Sequence, residues 1–456
     1  MAVIFYNELT TQSYLILKLC EKRNTMIRLA ALFVISQIAC QSLAQTPNII
    51  RGPYLNSVTS SSAVIRWRTE NPTDSKVSLH PDMNKVKGVS VTDSNLVTDH
   101  EVTVSGLKAN TKYFYAVGTT KSKVLTYEEQ YFTTAPTIGS TSPVRIWALG
   151  DFGDGSKNQL DCRDAIIKQT ADRRPDAWLW LGDNAYNIGL DEEYQRNVFR
   201  VYQESFLRNT TLYPSPGNHD YGKAKRNPTD VSYFKIFTMP KEGEAGGIPS
   251  GSESYYSVDY GNVHLISLDS QGELDGGFRI YDTLSKQVTW LKKDLANNKL
   301  PWTVVYFHHP PYTKGSHDSD RENELVKIRE NLLTILERHK VDLVLAGHSH
   351  VYERTHPLRG HYGAANTFDA KKHVVEKTDS PNNYRVGKSG QGVIYIVSGS
   401  GGQVGGQAEG YPLRAATYYN TTVGGSLIMD FNDNKLDAKW ICADGQVRDQ
   451  FSITKE

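Results

Sequence analysis

Carboxylates, imidazoles, an amide and a phenol recur in five short segments of this chain. They are Asp151-Phe152-Gly153, Gly182-Asp183-Asn184-Ala185-Tyr186, Gly217-Asn218-His219-Asp220, His308-His309-Pro310-Pro311-Tyr312 and Gly347-His348-Ser349-His350. Side chains of these types hold metal ions. Taken singly, each segment has a plainer explanation: Asp151 suits a helix cap or a turn, and His308 suits a core histidine. Their placement argues otherwise. Asp151 follows Ile146-Trp147-Ala148-Leu149-Gly150, Asp183 follows Trp178-Leu179-Trp180-Leu181-Gly182, His308 follows Val304-Val305-Tyr306-Phe307, and His348 ends the run from Val341 to Gly347. Each donor therefore projects from the end of an apolar strand into a turn, where all of them can meet at one sheet edge. The alternate spacing of His348 and His350 lets two imidazoles serve two neighbouring ions.

The elements that must position these donors change character along the chain. Residues 48 to 135 read as short alternating strands, as in Ser62-Ala63-Val64-Ile65-Arg66-Trp67-Arg68, with no helical period. A small all-β sandwich is expected there, with Trp67 as its core indole. The small-residue stretch Thr133-Thr134-Ala135-Pro136-Thr137-Ile138-Gly139-Ser140 ends it. Beyond it, strand-like runs (Val144 to Leu149, Ala177 to Leu181, Val263 to Leu268, Thr303 to Phe307, Val341 to Leu345, Val393 to Val397) alternate with helical ones. One helix is expected over Asn323 to Lys340, with Leu325, Ile328, Leu332, Leu333, Ile335 and Leu336 on its apolar face. A second is expected over Leu284 to Leu295, with Leu284, Val288, Leu291 and Leu295 in register. This alternation predicts a layered α/β domain with its site at the strand ends. The Gly- and Ser-rich stretches Lys241 to Ser254 and Gly360 to Gly392 are expected to be surface loops near the site.

Composition narrows the partners. The formal net charge of +1 over 456 residues gives no global field for nucleic acid or an anionic membrane. The cysteines Cys20, Cys40, Cys162 and Cys442 form no Cys-x-x-Cys pair, which excludes thiolate zinc and dithiol redox motifs. Cys162 and Cys442 could form one disulfide or remain two buried thiols. From Met26 a basic start, an apolar middle and Ser42-Leu43-Ala44 make an export signal, with cleavage expected after Ala44. Gln37 disfavours Cys40 as a lipid-attachment site, and no later stretch is long and apolar enough to span a bilayer. The chain is thus divided into a leader at 1–44, a sandwich at 45–136, a linker at 137–143 and a catalytic domain at 144–456.

In this order the five segments resemble the metallophosphoesterase superfamily, and more narrowly the purple acid phosphatases. The narrowing rests on two residues. Most of the superfamily place a histidine two residues after the first aspartate, where this chain has Gly153; purple acid phosphatases instead use a tyrosine three residues after the second, where this chain has Tyr186. The N-terminal part resembles their fibronectin type III-like domain, with a tyrosine corner from Leu107 to Tyr113. The resemblance implies an α/β sandwich of two mixed β-sheets flanked by helices. It also implies a ferric ion held by Asp151, Tyr186 and His350, and a divalent ion (Zn, Mn or Fe) held by Asn218, His308 and His348. Asp183 would bridge them. A hydroxide at the ferric ion would be the nucleophile, and His219 and His317 would act on the phosphoryl group or the leaving oxygen. Tyr352-Glu353-Arg354 would orient the histidine loop, and His309 departs from the serine frequent in plant relatives.

The expected activity is that of an exported acid phosphatase acting on small phosphate monoesters, without nucleic-acid partners. The oligomeric state is not specified by the sequence. A phosphodiesterase or a nucleotide or phytate hydrolase could use the same ligands. A surface-binding protein with an inert metal domain would lack some of them, and none of the seven is missing.

Overall fold

The computed structural model describes residues 47–82, 88–122, 128, 130–222, 230–272, 279–375, 378–380, 382–386 and 392–456, and the expected export signal lies outside these. Apolar runs bounded by glycine and polar turns form the strands, and the strands form two sheets packed face to face. In the first, Val144–Leu149, Ala177–Leu181 and Thr211–Ser215 run parallel and adjacent. A C-terminal antiparallel meander, Gly425–Asn432, Lys435–Cys442 and Val447–Lys455, extends this sheet beside Val144–Leu149. The second sheet has the order Ala416–Asn420, Tyr352–Thr355, Ile394–Ser398, Leu343–Ala346, Trp302–Tyr306, Val263–Ser267 and Tyr256–Tyr260. Both sheets are mixed, and one core lies between them, including Trp147, Leu179, Leu265, Val304, Leu345, Ile396 and Met429.

A second core lies on the other face of the second sheet, where Ile266, Val305, Val344 and Tyr395 meet Val288, Leu291, Ile328 and Leu336 of the helices. The two helices differ from the sequence expectation in detail. The run expected as one helix over Asn323 to Lys340 is two, Asn323–Asn331 and Leu333–Arg338. At Leu332 the ladder tightens, since Ile335 N–H bonds the Leu332 carbonyl three residues back; the apolar face nevertheless stays buried. The other helix is Lys286–Asn297, with Ser285 Oγ capping Val288 N–H. Leu284 therefore precedes the helix and is 86% exposed, contrary to its expected place on the apolar face. A serine cap one residue later outweighs a leucine in register.

The N-terminal strands enclose a third core of Leu55, Ile65, Trp67, Val77, Leu79, Val104, Tyr113 and Tyr115. The hairpin of Ser62–His80 and Val89–Ser105 shifts register between Arg68 and Thr73. Its first half pairs with Ile49–Asn56 and its second with Lys112–Gly118. Tyr113 Oη accepts from Lys108 N–H at 3.0 Å, the tyrosine-corner bond, and Trp67 is 1% exposed.

This sandwich is docked tightly rather than tethered. Ile49–Asn56 pairs with Thr211–Ser215 at Asn56 and Leu212, so one sheet runs through both parts. Tyr54 Oη donates to Ile236 O, Tyr115 Oη to Arg208 O, and Arg66 to Lys235 O and Thr238 Oγ1. Cys162 and Cys442 are free and buried. Among the described residues no helix is long and apolar enough to cross a membrane.

Candidate metal centre

Strand adjacency brings the donors together. Leu149 and Trp180 are register partners in one sheet, so Asp151 and Asp183 leave neighbouring parallel strands side by side. Tyr306 and Leu345 are partners in the other, which does the same for His308 and His348. Asp151, Asp183 and His348 all have left-handed backbones, with φ of 57°, 50° and 66°. That conformation is uncommon outside glycine and clusters at functional sites. The two loop sets also approach very closely. A Cβ on Gly182 would lie 2.5 Å from His308 Nδ1, and one on Gly347 would lie 2.3 Å from Asp151 Oδ2. Only glycine permits that approach.

The seven side chains expected to hold metal converge. Tyr186 Oη lies 3.1 Å from Asp151 Oδ1 and 3.4 Å from Asp183 Oδ2. His350 Nε2 is 3.7 Å from Asp151 Oδ1. On the other side, His308 Nε2 is 3.0 Å from Asp183 Oδ2, 3.1 Å from Asn218 Oδ1 and 3.2 Å from His348 Nδ1. The donors thus fall into two groups that share the Asp183 carboxylate. Asp151 and Asp183 are 0% and 2% exposed. Burial, reinforced by Asp183, holds the Asp151 carboxyl well above the usual range, and it pushes the Tyr186 phenol up as well. Burial would depress His308, but the two aspartates raise it to about 9. Buried acids and a phenol facing one another need positive charge among them, and metal cations meet that need. The donor set fits: hard oxygen donors on one side, two imidazoles and an amide oxygen on the other.

His219 stands beside this group, its ring 4.6 Å from that of Tyr186. Its N–H donates to Asp183 Oδ1 at 2.7 Å. Its Nδ1 is 2.5 Å from Asn187 O, and a carbonyl only accepts, so Nδ1 carries a proton. Nε2 remains, 3.9 Å from Asp183 Oδ2, on a half-exposed ring. His317 stacks on His348 at 3.7 Å and directs Nδ1 to Glu322 at 2.9 Å. Tyr312 turns away from the donors and bonds the His361 carbonyl.

Several supporting residues escape a motif search. Glu322 reaches both His317 and, at 3.8 Å, His348 Nε2, the ring nitrogen opposite the one that faces His308. Such a carboxylate fixes a ligand histidine's tautomer. Asp220 accepts from Asn184 N–H and Gly217 N–H, which ties two donor loops together, and burial raises it to about 7. Glu353 accepts from Thr313 Oγ1, whose oxygen is 2.8 Å from Ser349 Oγ, so it does reach the histidine loop. Arg354 does not: it grips Asp449 in the C-terminal meander at 2.7 and 2.8 Å. His309 is held by Ser270 Oγ at 2.7 Å with its ring 4.5 Å from His348. The glycine-rich segment after Ser398 is tied to the histidine loop, as Gly405 N–H bonds His350 O. Its only signal in the sequence is its run of glycines after an apolar strand.

Both parts of the chain match known families. Residues 144–352 match the calcineurin-like phosphoesterase family. Residues 51–134 match the purple acid phosphatase N-terminal domain. Over residues 144–352 the chain is similar to the calcineurin-like phosphoesterases. Within them, its similarities are to the purple acid phosphatases. It is 29% identical to purple acid phosphatase 15 of Arabidopsis thaliana over 280 residues, 56% of this chain and 49% of that protein. It is 31% identical to purple acid phosphatase 21 of the same plant over 265 residues, 57% of this chain and 54% of that one. The chain spans about half the length of these curated relatives. Purple acid phosphatase PPD1 from yellow lupin (Lupinus luteus) seeds shares the fold, with a TM-score of 0.65, 19% identity and coverage of 90% of this chain and 74% of that one.

Proposed function

We propose that this chain is an exported acid phosphatase that hydrolyses small phosphate monoesters at a binuclear centre of Fe(III) and a divalent Zn, Mn or Fe ion. The observation that carries the reading is the partition of seven donors into two groups around the shared Asp183 carboxylate. Asp151, Tyr186 and His350 would hold the ferric ion; Asn218, His308 and His348 would hold the divalent one. When bound, such a pair acts as a Lewis-acid clamp on a phosphoryl group and acidifies water. The chain's own residues do the rest. His219, with Nδ1 occupied by Asn187, has Nε2 to hydrogen-bond a phosphoryl oxygen or to protonate the leaving oxygen. His317, half-buried against His348 and held by Glu322, would make a second contact with the ester.

The deciding assay is turnover on a panel of phosphate monoesters and diesters by purified protein. Faster monoester hydrolysis at acidic pH is expected, and a preference of about a hundredfold for diesters would reject the substrate class. The visible spectrum tests Tyr186 separately: a phenolate on ferric iron absorbs in the visible, and a colourless, iron-replete protein would reject that ligand. N-terminal sequencing of exported protein tests cleavage after Ala44.

A further inference from the structure

The N-terminal sandwich grips one face of a helical segment that leads directly from the centre. Ile50 O accepts from Gln195 Nε2 at 2.8 Å. Arg51 bonds both oxygens of Asp191 at 2.9 Å, and its Nε reaches Gln195 Oε1 at 2.6 Å. Its guanidinium also lies over Phe199 at 4.6 Å. Gly52 exchanges two hydrogen bonds with the Gln203 amide, at 3.1 and 2.8 Å. Asp191, Gln195, Phe199 and Gln203 recur every fourth residue and so lie along one helical face. A second arginine, Arg68, closes on the same Asp191 carboxylate at 2.6 and 3.0 Å. Three consecutive residues of one strand and a residue of the next are spent on this face.

The other end of that segment touches the centre. Glu193, two residues after Asp191 and 8% exposed, accepts three backbone N–H groups from the loop beginning at Tyr186. They come from Asn187 at 2.5 Å, Ile188 at 3.1 Å and Leu190 at 2.9 Å. Asn187 in turn offers its carbonyl to His219 Nδ1. Asn197, on the same segment, bonds the Gly153 and Tyr186 carbonyls at 3.2 and 3.4 Å. One buried carboxylate therefore sets the backbone beside Tyr186 and, through Asn187, the pitch of the His219 ring.

We infer that the sandwich is a positioning element of the reaction centre: Arg51 and Arg68 fix Asp191, which fixes Glu193 and with it the loop that aims Tyr186 and His219. Asp191 and Glu193 are positioning residues, since neither touches the donor group itself. The inference rests on the proposed roles of Tyr186 and His219, but its main readout does not depend on catalysis.

The test uses the full chain and three variants. Asp191→Ala removes the anchor, Arg68→Met weakens it while leaving the Arg51 grip, and Arg66→Met loosens the docked surface away from Asp191. Hydrogen exchange at Asn187, Ile188 and Leu190 is measured alongside thermal stability and turnover of p-nitrophenyl phosphate. Asp191→Ala is expected to speed exchange at those amides by about tenfold or more. It should lower kcat by an order of magnitude with little change in KM. Arg68→Met should do both less strongly, and Arg66→Met should lower the Tm with neither effect. Unchanged exchange in the first two variants overturns the inference, as does an equal rise in Arg66→Met, which would mean that docking alone matters. If Asp191→Ala does not fold, Arg68→Met decides by the same criteria. Should the chain prove not to hydrolyse phosphate esters, the exchange result still stands or falls by itself.

Discussion

His264 sits in the second sheet with a carboxylate at each ring nitrogen. Asp259, its register partner on the neighbouring strand, lies 2.6 Å from Nδ1, and Asp294 of the Lys286–Asn297 helix lies 2.8 Å from Nε2. The residue is 1% exposed. Both nitrogens donate, so the ring is an imidazolium. Burial alone would lower its pKa, but the two carboxylates raise it from 6.5 to about 9. A group whose folded pKa lies above its unfolded one stabilises the fold fully below the unfolded value and loses that contribution as pH rises through the folded value. The raised pKa corresponds to about 3 kcal/mol at 1.36 kcal/mol per unit. That contribution should be complete below pH 6.5 and largely gone above about 9. Asp294 also accepts from Ile248 N–H at 2.8 Å and Ser257 Oγ at 3.1 Å, so deprotonation loosens a strand, a helix and the loop from Lys241 together. The assay is urea unfolding from about pH 6 to about pH 9.5 for the wild type and His264→Gln, which cannot carry the charge. The wild type should lose stability more steeply over that interval. Parallel profiles would refute the reasoning.

Asp183→Asn should weaken binding of both ions, because both donor groups share its carboxylate; elemental analysis showing two retained equivalents would contradict the bridging role. His219→Ala should leave metal content nearly unchanged while cutting turnover by about a hundredfold or more, most for poor leaving groups; loss of one ion instead would make it a ligand. Arg354→Met should destabilise the fold by roughly 3–5 kcal/mol in denaturant unfolding, since it leaves the buried Asp449 carboxylate with the Tyr352 hydroxyl but no cation; a change under about 1 kcal/mol would show that the pair contributes little.

Much of the centre was legible because its signals are local. An apolar run, a glycine and then a donor marks a strand end whatever surrounds it, and the strands carrying Asp151, Asp183, His308 and His348 lie within a residue or two of expectation. Tyr186 in place of a histidine two residues after Asp151 was equally visible. What escaped depends on contacts distant in the chain. Nothing near Glu322 announces that it will meet His348, and nothing near Glu193 announces three loop amides. Asp220 stands beside two donor-type residues in the sequence, but its burial between two donor loops is a tertiary fact. The C-terminal meander was not among the expected strands, and its place beside Val144–Leu149 comes only from the fold. Leu284 misled because helical register continued one step past the serine that starts the helix.

Because Asn56 pairs with Leu212, the C-terminal half relies on the N-terminal strand to cover the edge of Thr211–Ser215 there. Truncation at the small-residue stretch before Val144 would uncover that strand's main-chain groups, an open template for self-association. Swapping or trimming the leading module is therefore not a neutral cut. Both halves together keep that edge covered, and a shorter fragment calls for a redesigned rim.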